Sequence, residues 1–548
     1  MNAHINRKEA ARRSALWAAY GDALGFVTEL ADEKSLIWRA GRSRIATTIP
    51  WKRKIGGRFG IVMELPAGCY SDDTQLRLAT CRSIRGDGKF DVEAFAKVEL
   101  PVWLSYALGA GRGSKAAAAS MTRKDTTWTN NFFDTKTSRY VDCGGNGAAM
   151  RIQPHVWAAV DLNNVDFFLV DVLKNAICTH GHPRGILGAV FHSLCLAFAL
   201  QHKEVPYPHE WRNFVGKLKQ VPDLIKNDPE LRDFWLPAWE KFAGVNLDIS
   251  FSAVAKECLN DIEFISEMMN ENSEEQYAAI VKRIDGMSNQ YRGSGTKTAI
   301  LAVVLAWMFK STPSKAIEVG ANLLGSDTDT IATMTGAIIG AICDTDPPGE
   351  ICDKSYIEEE ALRLNTISNG HKAKSFSYPD LLKWDVSPVQ LDFVKTEGDR
   401  LVVSGLGYAE ALGRPYTQKG QEAAAWQWLE LQTGQRILAK RRLKPDSISS
   451  THLPPQMEKR QTGTRYARSN QASLFDLGRN NEVQPTPPKK QLLTLDQATR
   501  QAINSGFDPL VIGRMLLEFS EREDGVEMAI GFSAIIAKAR RARIVQKG

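Results

Sequence analysis

Apolar residues recur at helical spacing through most of the first two-thirds of the chain. Segments such as DVEAFAKVELPVWLSYALGAG (91–111) and EEQYAAIVKRIDGM (274–287) repeat them every three to four residues, which predicts amphipathic helices. Two runs are apolar on nearly every side: GILGAVFHSLCLAFAL (185–200) and TAILAVVLAWMF (298–309). Both fall short of about 18 clean apolar residues, and the first holds His192, so they read as buried core helices, not membrane spans. Gly- and Asp-rich breaks separate the helices: SDDT at 71–74, DCGGNGAAM at 142–150 and GSDTDT at 325–330. Strand and helix do not alternate, which argues against a parallel α/β sheet. No 20–50-residue repeat is present.

The texture changes further on. LDFVKTEGDRLVVSGLGYAEALGRPYT and AAAWQWLELQTGQRILAKRRLK carry short β-branched and aromatic runs broken by Gly. They predict a small mixed α/β or β-rich domain over 376–445. Residues 446–492 are rich in Pro, Ser, Gln, Asn and Arg, the composition of a flexible linker. Residues 493–548 read as two or three amphipathic helices. The expected organisation is therefore an all-α domain over 1–365, the small domain, the linker and a short helical segment.

Charge and cysteine content refine this picture. The chain has 548 residues, 43% hydrophobic and 24% charged, ordinary values for a soluble globular protein. Residues 366–548 hold 27 Lys and Arg against 19 Asp and Glu, so the last third carries +8 and the rest −2. That asymmetry suggests an anionic partner, with nucleic acid as one candidate. Eight scattered cysteines without a CxxC pair read as reduced core residues, not as zinc ligands of common spacing. The N-terminus shows no signal-peptide pattern. The expectation is a cytoplasmic protein with no membrane partner.

Five short polar segments carry the candidate chemistry. They are YGDALGFVTE with Asp22 and Glu29, SDDT, CGGNGAAMRI, THGHP with His180 and His182, and GSDTDT. Adjacent aspartates repel when buried unless a cation lies between them. Asp and Ser/Thr oxygens suit a hard ion such as Mg²⁺, Mn²⁺ or Ca²⁺. Two such clusters can supply one paired-metal site. Either cluster alone also fits a plain helix N-cap with an exposed acid. Thr328 is expected to point away from the site and to cap its helix. The glycine-rich turn suits a phosphate at a helix N-terminus, or serves only as a turn. The histidines are structural or hydrogen-bond a substrate oxygen.

Taken in order, these pieces carry a resemblance. GDALGFVTE, SDDTQLRLA, GGNGAAMRIQP, THGHPRGILGAV, GSGTKTAILAVVLA and GSDTDTIATMTGAIIGAI resemble the ADP-ribosylglycohydrolase family over residues of about 15 to 345. The resemblance implies an all-α fold with two Mg²⁺ ions, Mn²⁺ being an alternative. It places the metal ligands on Ser71, Asp72, Asp73, Asp327, Asp329 and Thr330. Ser71 stands where members more often carry Thr. Glu29 matches an acidic position near the scissile bond. Gly144, Gly145, Asn146, Gly147 and Met150 match the loop that holds the ADP-ribose diphosphate and ribose, and His180 a histidine beside the ligand. The implied catalytic set is Glu29, Asp72 and Asp73, with the base open among Glu29, Asp72 and a metal-bound water. KDTTWTNNFFDTKTSRY has no counterpart in the pattern and is expected to shape the exit side of the pocket.

The implied activity is removal of ADP-ribose from a modified protein side chain or nucleic-acid base. The alternative is an inactive ADP-ribose-binding or DNA-associated protein on the same scaffold. QASLF, with Gln471, Leu474 and Phe475, resembles the bacterial sliding-clamp-binding motif, or is a chance Leu-Phe pair in a polar tail. Lys538, Arg540, Arg541 and Arg543 form either a partner-binding face or a solvated helix end.

Overall fold

The computed structural model describes residues 6–57, 60–417, 423–455, 494–522 and 525–545. The chain divides into two compact units, Met1–Gln461 and Thr462–Gly548.

The first unit is built round two buried helices. Helix α1 (Arg7–Thr28) starts at Asn6, whose side chain accepts the Glu9 N–H, and is buried at every position from Ser14 to Thr28. Further helices used below are α2 (Asp72–Ser83), α3 (Pro183–His202), α4 (Gly295–Met308), α5 (Thr328–Ile342) and α6 (Lys354–Ser368). Helix α5 is buried from Thr328 to Ala341 and lies antiparallel against α1. Glycines let the two backbones touch. A Cβ on Gly336 would stand 2.2 Å from the Trp17 carbonyl oxygen, and one on Gly25 would stand 2.4 Å from the Asp329 Cα. Hydroxyls bridge the same seam: Ser14 donates to the Ala337 carbonyl at 2.7 Å and Thr333 to the Ala18 carbonyl at 2.7 Å.

Among the described residues, α3 alone is long and apolar enough to cross a membrane, and 89% of its apolar window is buried inside the fold. It packs as a core helix against α4. All eight cysteines are free thiols, seven of them buried.

The helical region is not purely α. Strands β1 (Trp51–Ile55) and β2 (Ile61–Leu65) form an antiparallel hairpin, and β3 (Asp134–Thr135) and β4 (Ser138–Arg139) a smaller one. Trp51, Ile55, Met63 and Leu65 are buried, while Lys52, Lys54, Val62 and Glu64 face outward or lie half-buried. That alternation across GGRFG is a hairpin signal which the helical reading passed over.

Strands β5 (Val394–Glu397), β6 (Arg400–Val403), β7 (Gly407–Thr417), β8 (Ala424–Leu431) and β9 (Arg436–Arg442) form an antiparallel meander in sequence order. It belongs to the same compact unit as the helices. A fully buried ion pair joins them: Arg82 meets Glu99 at 2.7 and 2.8 Å and also donates to Gln435, while Tyr378 donates to Glu99 at 2.7 Å. Breaking such a pair from one side leaves a buried charge unmatched.

The second unit contains helices α7 (Leu495–Asn504), α8 (Pro509–Ser520) and α9 (Gly525–Val545) round Ala498, Ala502, Met515, Phe519, Phe532 and Ile536. Thr494 and Gln497 close a capping box on α7. Arg540 is exposed; the side chains of Lys538, Arg541 and Arg543 lie outside the described residues, as do Gln471, Leu474 and Phe475.

The α1–α5 seam makes a direct prediction. Gly336→Ala is expected to destabilise the protein by about 1–3 kcal/mol through overpacking. Gly216→Ala, where a Cβ meets open space on an exposed helical face, is expected to stabilise by about 0.5–1 kcal/mol. Urea unfolding of both variants measures the contrast.

Candidate active site

The acidic turn of α2 is held from α1. Asp22, fully buried, accepts the Ser71 N–H at 2.9 Å on Oδ1, and the Thr74 N–H at 2.8 Å and hydroxyl at 2.6 Å on Oδ2. Ser71 adds the local cap by accepting the Asp73 N–H at 3.2 Å. With capping supplied by Asp22 and Ser71, the Asp72 and Asp73 carboxylates are spared that duty. The start of α5 behaves alike. Asp327 occupies the N-cap position yet makes no side-chain capping bond, and Asp329 accepts its neighbour's N–H, that of Thr330, at 2.9 Å. Thr328 stays out of the cleft lining as expected, but it is not the cap: its buried hydroxyl donates to the Gly25 carbonyl at 3.1 Å and so ties α5 to α1. The close helix crossing at Gly25 puts that carbonyl within its reach.

A cleft of about 860 Å³ brings these groups together. Glu29 comes from the end of α1, Asp72 and Asp73 from α2, and Asp327, Asp329 and Thr330 from α5. Gly144, Gly145, Asn146, Gly147, Met150 and His180 line it as well, with His182 and the hairpin residues 134–139. Ser71 and Asp22 are absent from the lining, both buried behind the acidic turn that they hold. The unmatched DTKTSR stretch therefore forms part of the cleft wall.

Two buried arginines fix the loop. Arg77 donates to the Met150 carbonyl at 3.0 Å, to Gln153 at 3.1 Å and to the Thr74 and Thr333 hydroxyls at 3.2 and 2.5 Å. Arg151 donates to the Gly147 carbonyl at 2.7 Å and to Asn175 and Thr179. Thr179 in turn contacts His180 Nδ1 at 2.7 Å. The glycine loop also pairs with residues 293–295: Asn146 N–H donates to the Gly293 carbonyl and Gly295 N–H to the Gly144 carbonyl. Gly147 packs so tightly that a Cβ would stand 2.7 Å from Ser114 Oγ and 2.9 Å from His180 Cε1.

Burial governs the electrostatics. It pushes the Asp72 carboxyl well above its usual range, helped by Glu29 and Asp22. Burial does the same for Asp73, with Asp22 and Asp72 adding repulsion, and for Asp329, with Glu29 and Asp73 adding it. Glu29 is also raised by burial, against the pull of Arg53, which sits 2.9 Å from Glu29 Oε2 and 4.1 Å over the Phe26 ring. Burial, with Arg151 second, lowers His180 to about 3, so its imidazole is neutral.

The donor set fits a hard cation. Asp73 Oδ2 is buried without a hydrogen-bond partner, and Thr330 Oγ1 lies 3.5 Å from Asp73 Oδ1. Among the described residues no group of three or more His, Cys, Asp or Glu stands ready-made as a cage. An orphaned anionic oxygen among mutually repelling carboxylates is nevertheless the environment that a divalent ion relieves.

The profile of the ADP-ribosylglycohydrolase family matches residues 3–348. The chain belongs to this family. Among curated relatives, the uncharacterized protein YegU of Escherichia coli (strain K12) is 25% identical over 340 residues, 60% of this chain and 86% of that protein. ADP-ribosylhydrolase ARH3 of Bos taurus is 24% identical over 288 residues, 50% and 70% of the two chains. The ADP-ribosyl-dinitrogen reductase glycohydrolase of Rhodospirillum rubrum is 30% identical over 186 residues, 33% of this chain and 55% of that protein. A solved chain titled ADP-ribosylglycohydrolase-related protein complex is 18% identical with a TM-score of 0.41, covering 66% of this chain and 99% of its own.

Sequence reasoning gave no role to Asp22, Arg53, Arg77 or Arg151. Arg77 and Arg151 had a signal, a lone cation inside an otherwise apolar or small-residue buried motif. Arg53 had only the overlooked hairpin.

The raised carboxyls set a pH dependence for the stability of the protein. Their folded pKa values lie above the unfolded one, so their cost is absent below about pH 4, grows as pH rises from there towards the folded values and is fully present above them. Asp73→Asn is expected to raise the Tm of chelator-treated protein at pH 8, and the gain is expected to shrink on acidification to pH 5. Thermal unfolding across that range measures it.

Proposed function

We propose that this chain hydrolyses the glycosidic bond between ADP-ribose and a modified macromolecule. Family membership supports a hydrolase of this class, and the names of the bovine and Rhodospirillum relatives support removal of ADP-ribose from a macromolecule. The observation that carries the reading is the shared cleft: half-buried Glu29 at the end of α1 and the carboxylates of α2 and α5 on the same cavity as a glycine loop and a neutral histidine.

Asp72, Asp73, Asp327, Asp329 and Thr330 would hold one or two Mg²⁺ or Mn²⁺ ions. Such ions supply Lewis-acid attraction for ribose hydroxyls and for charge developing in the reaction. The remaining steps belong to the chain. Gly144, Gly145, Asn146 and Gly147 line the cleft, and a glycine-rich turn of this kind lets a diphosphate approach the main chain closely. His180 Nε2, beside Gly145 and Gly147, offers a neutral hydrogen bond; Thr179 holds Nδ1 and Arg151 holds Thr179. Arg53 fixes Glu29 through Oε2, leaving Oε1 to take a proton from attacking water. A carboxyl raised by burial is suited to exchanging protons near neutral pH. Negative side chains round the reacting carbon stabilise an oxocarbenium-like transition state.

The test is release of ADP-ribose from a panel of ADP-ribosylated proteins and nucleic acids, with Mg²⁺ or with chelator. Asp72→Ala and Asp329→Ala are each expected to cut release by about 100-fold or more while the far-UV spectrum is kept, and chelator is expected to do likewise. Full activity in the double variant sinks the proposal.

A further inference from the structure

The family match ends at residue 348, but the bonds behind the acidic turn continue beyond it. Tyr70 immediately precedes Ser71, Asp72 and Asp73. Its hydroxyl donates to Asp353 Oδ2, and that oxygen also accepts the Arg436 backbone N–H at 3.0 Å. Asp353 Oδ1 accepts Arg436 Nε at 2.7 Å. The Asp353 side chain is wholly buried, whereas that of Arg436, the first residue of β9, is 38% exposed. Asp353 adopts φ +60°, a left-handed conformation that few residues other than Gly, Asn and Asp accept.

The neighbouring backbone is clamped as well. The Cys352 N–H donates to the Gly68 carbonyl at 3.0 Å, and the Thr48 hydroxyl to the Glu350 carbonyl at 2.9 Å. Gly68 lies so close that a Cβ would stand 2.5 Å from the Glu350 carbonyl oxygen. Asp22 thus grips the acidic turn from Ser71 onward. Residues 350–353, braced by the sheet, grip the chain that leads into it.

We propose that Asp353 and Arg436 are positioning residues for the acidic turn, so that the C-terminal sheet is a working part of the active site. The inference rests on the reading of Asp72 and Asp73 as cation-holding groups. A buried carboxylate with several donors is a rigid post, and loss of one donor loosens it. Supporting partners of metal-holding side chains change affinity or rate by about 10–100-fold when removed.

The test uses the full chain as wild type, Tyr70→Phe, Arg436→Ala and Arg436→Lys. Three quantities are read: amide exchange of peptides spanning 68–76, Mn²⁺ affinity by calorimetry, and kcat and KM for an ADP-ribosylated protein. Tyr70→Phe and Arg436→Ala are expected to speed exchange at 70–74, weaken Mn²⁺ binding about tenfold and lower kcat with KM nearly unchanged, because the glycine loop is untouched. Arg436→Lys is expected to recover part of the loss. Wild-type exchange and Mn²⁺ affinity in Tyr70→Phe and Arg436→Ala, whatever happens to Tm, would overturn the inference. Should Tyr70→Phe fail to fold, the half-exposed Arg436 variants decide alone. Wild-type protein that binds no Mn²⁺ and releases no ADP-ribose would instead overturn the reading of the site, and the exchange rates would still judge the positioning role.

Discussion

Backbone meets backbone where α1 crosses α5, and this contact sets the separation between Glu29 and the Asp327–Asp329 pair. Gly21, Gly25, Gly336 and Gly340 all lie where a Cβ would strike the facing main chain. The glycines recur at four-residue intervals, so each turn of one helix rests on a turn of the other. One helix ends at Glu29 as the other begins at Asp327. Asp22, on the same helix as Glu29, reaches sideways to hold the α2 turn. A single packed helix pair therefore locates the acidic groups of the cleft.

Such a site is costly to the fold. Four carboxyls, Glu29, Asp72, Asp73 and Asp329, are raised chiefly by burial, and Asp73 keeps an oxygen without a partner. The surrounding structure tolerates this because it is rigid elsewhere. Arg77 and Arg151 are buried cations whose donors go to carbonyls, amides and hydroxyls of the loop and helices. Their charge partly offsets the carboxylates, and their geometry fixes the glycine loop. The close-packed helix seam is where apolar burial offsets that cost.

Much of this was legible in the chain. SDDT and GSDTDT stand out because adjacent acids at the mouths of apolar helices conflict with burial, and a conflict of that kind marks function. The glycine loop, Met150 and His180 followed from ordered motifs, not from any one residue. Ser71 illustrates the limit: its type fits a ligand or a cap equally, and only the bond to the Asp73 N–H reveals the cap. Thr328 points away from the cleft as its sequence context suggests, but it caps nothing, because its partner, the Gly25 carbonyl, comes from a helix some 300 residues away. The β1–β2 hairpin carried an alternating pattern, yet it sat within a helical stretch and its purpose depends on Arg53 meeting Glu29. Tyr70, Asp353 and Arg436 are unremarkable in sequence; their joint exists only once the sheet is docked.

The most direct measurement is a crystal structure of the protein with Mn²⁺ and ADP-ribose, read by anomalous scattering. The expected result is Mn²⁺ density bonded to Asp72, Asp73, Asp327 and Asp329, with a ribose against it and the diphosphate along Gly144–Gly147. Ordered ADP-ribose elsewhere, or in this cleft with no Mn²⁺ at those carboxylates, would contradict the assignment of the acidic cluster as the cation-dependent hydrolytic centre.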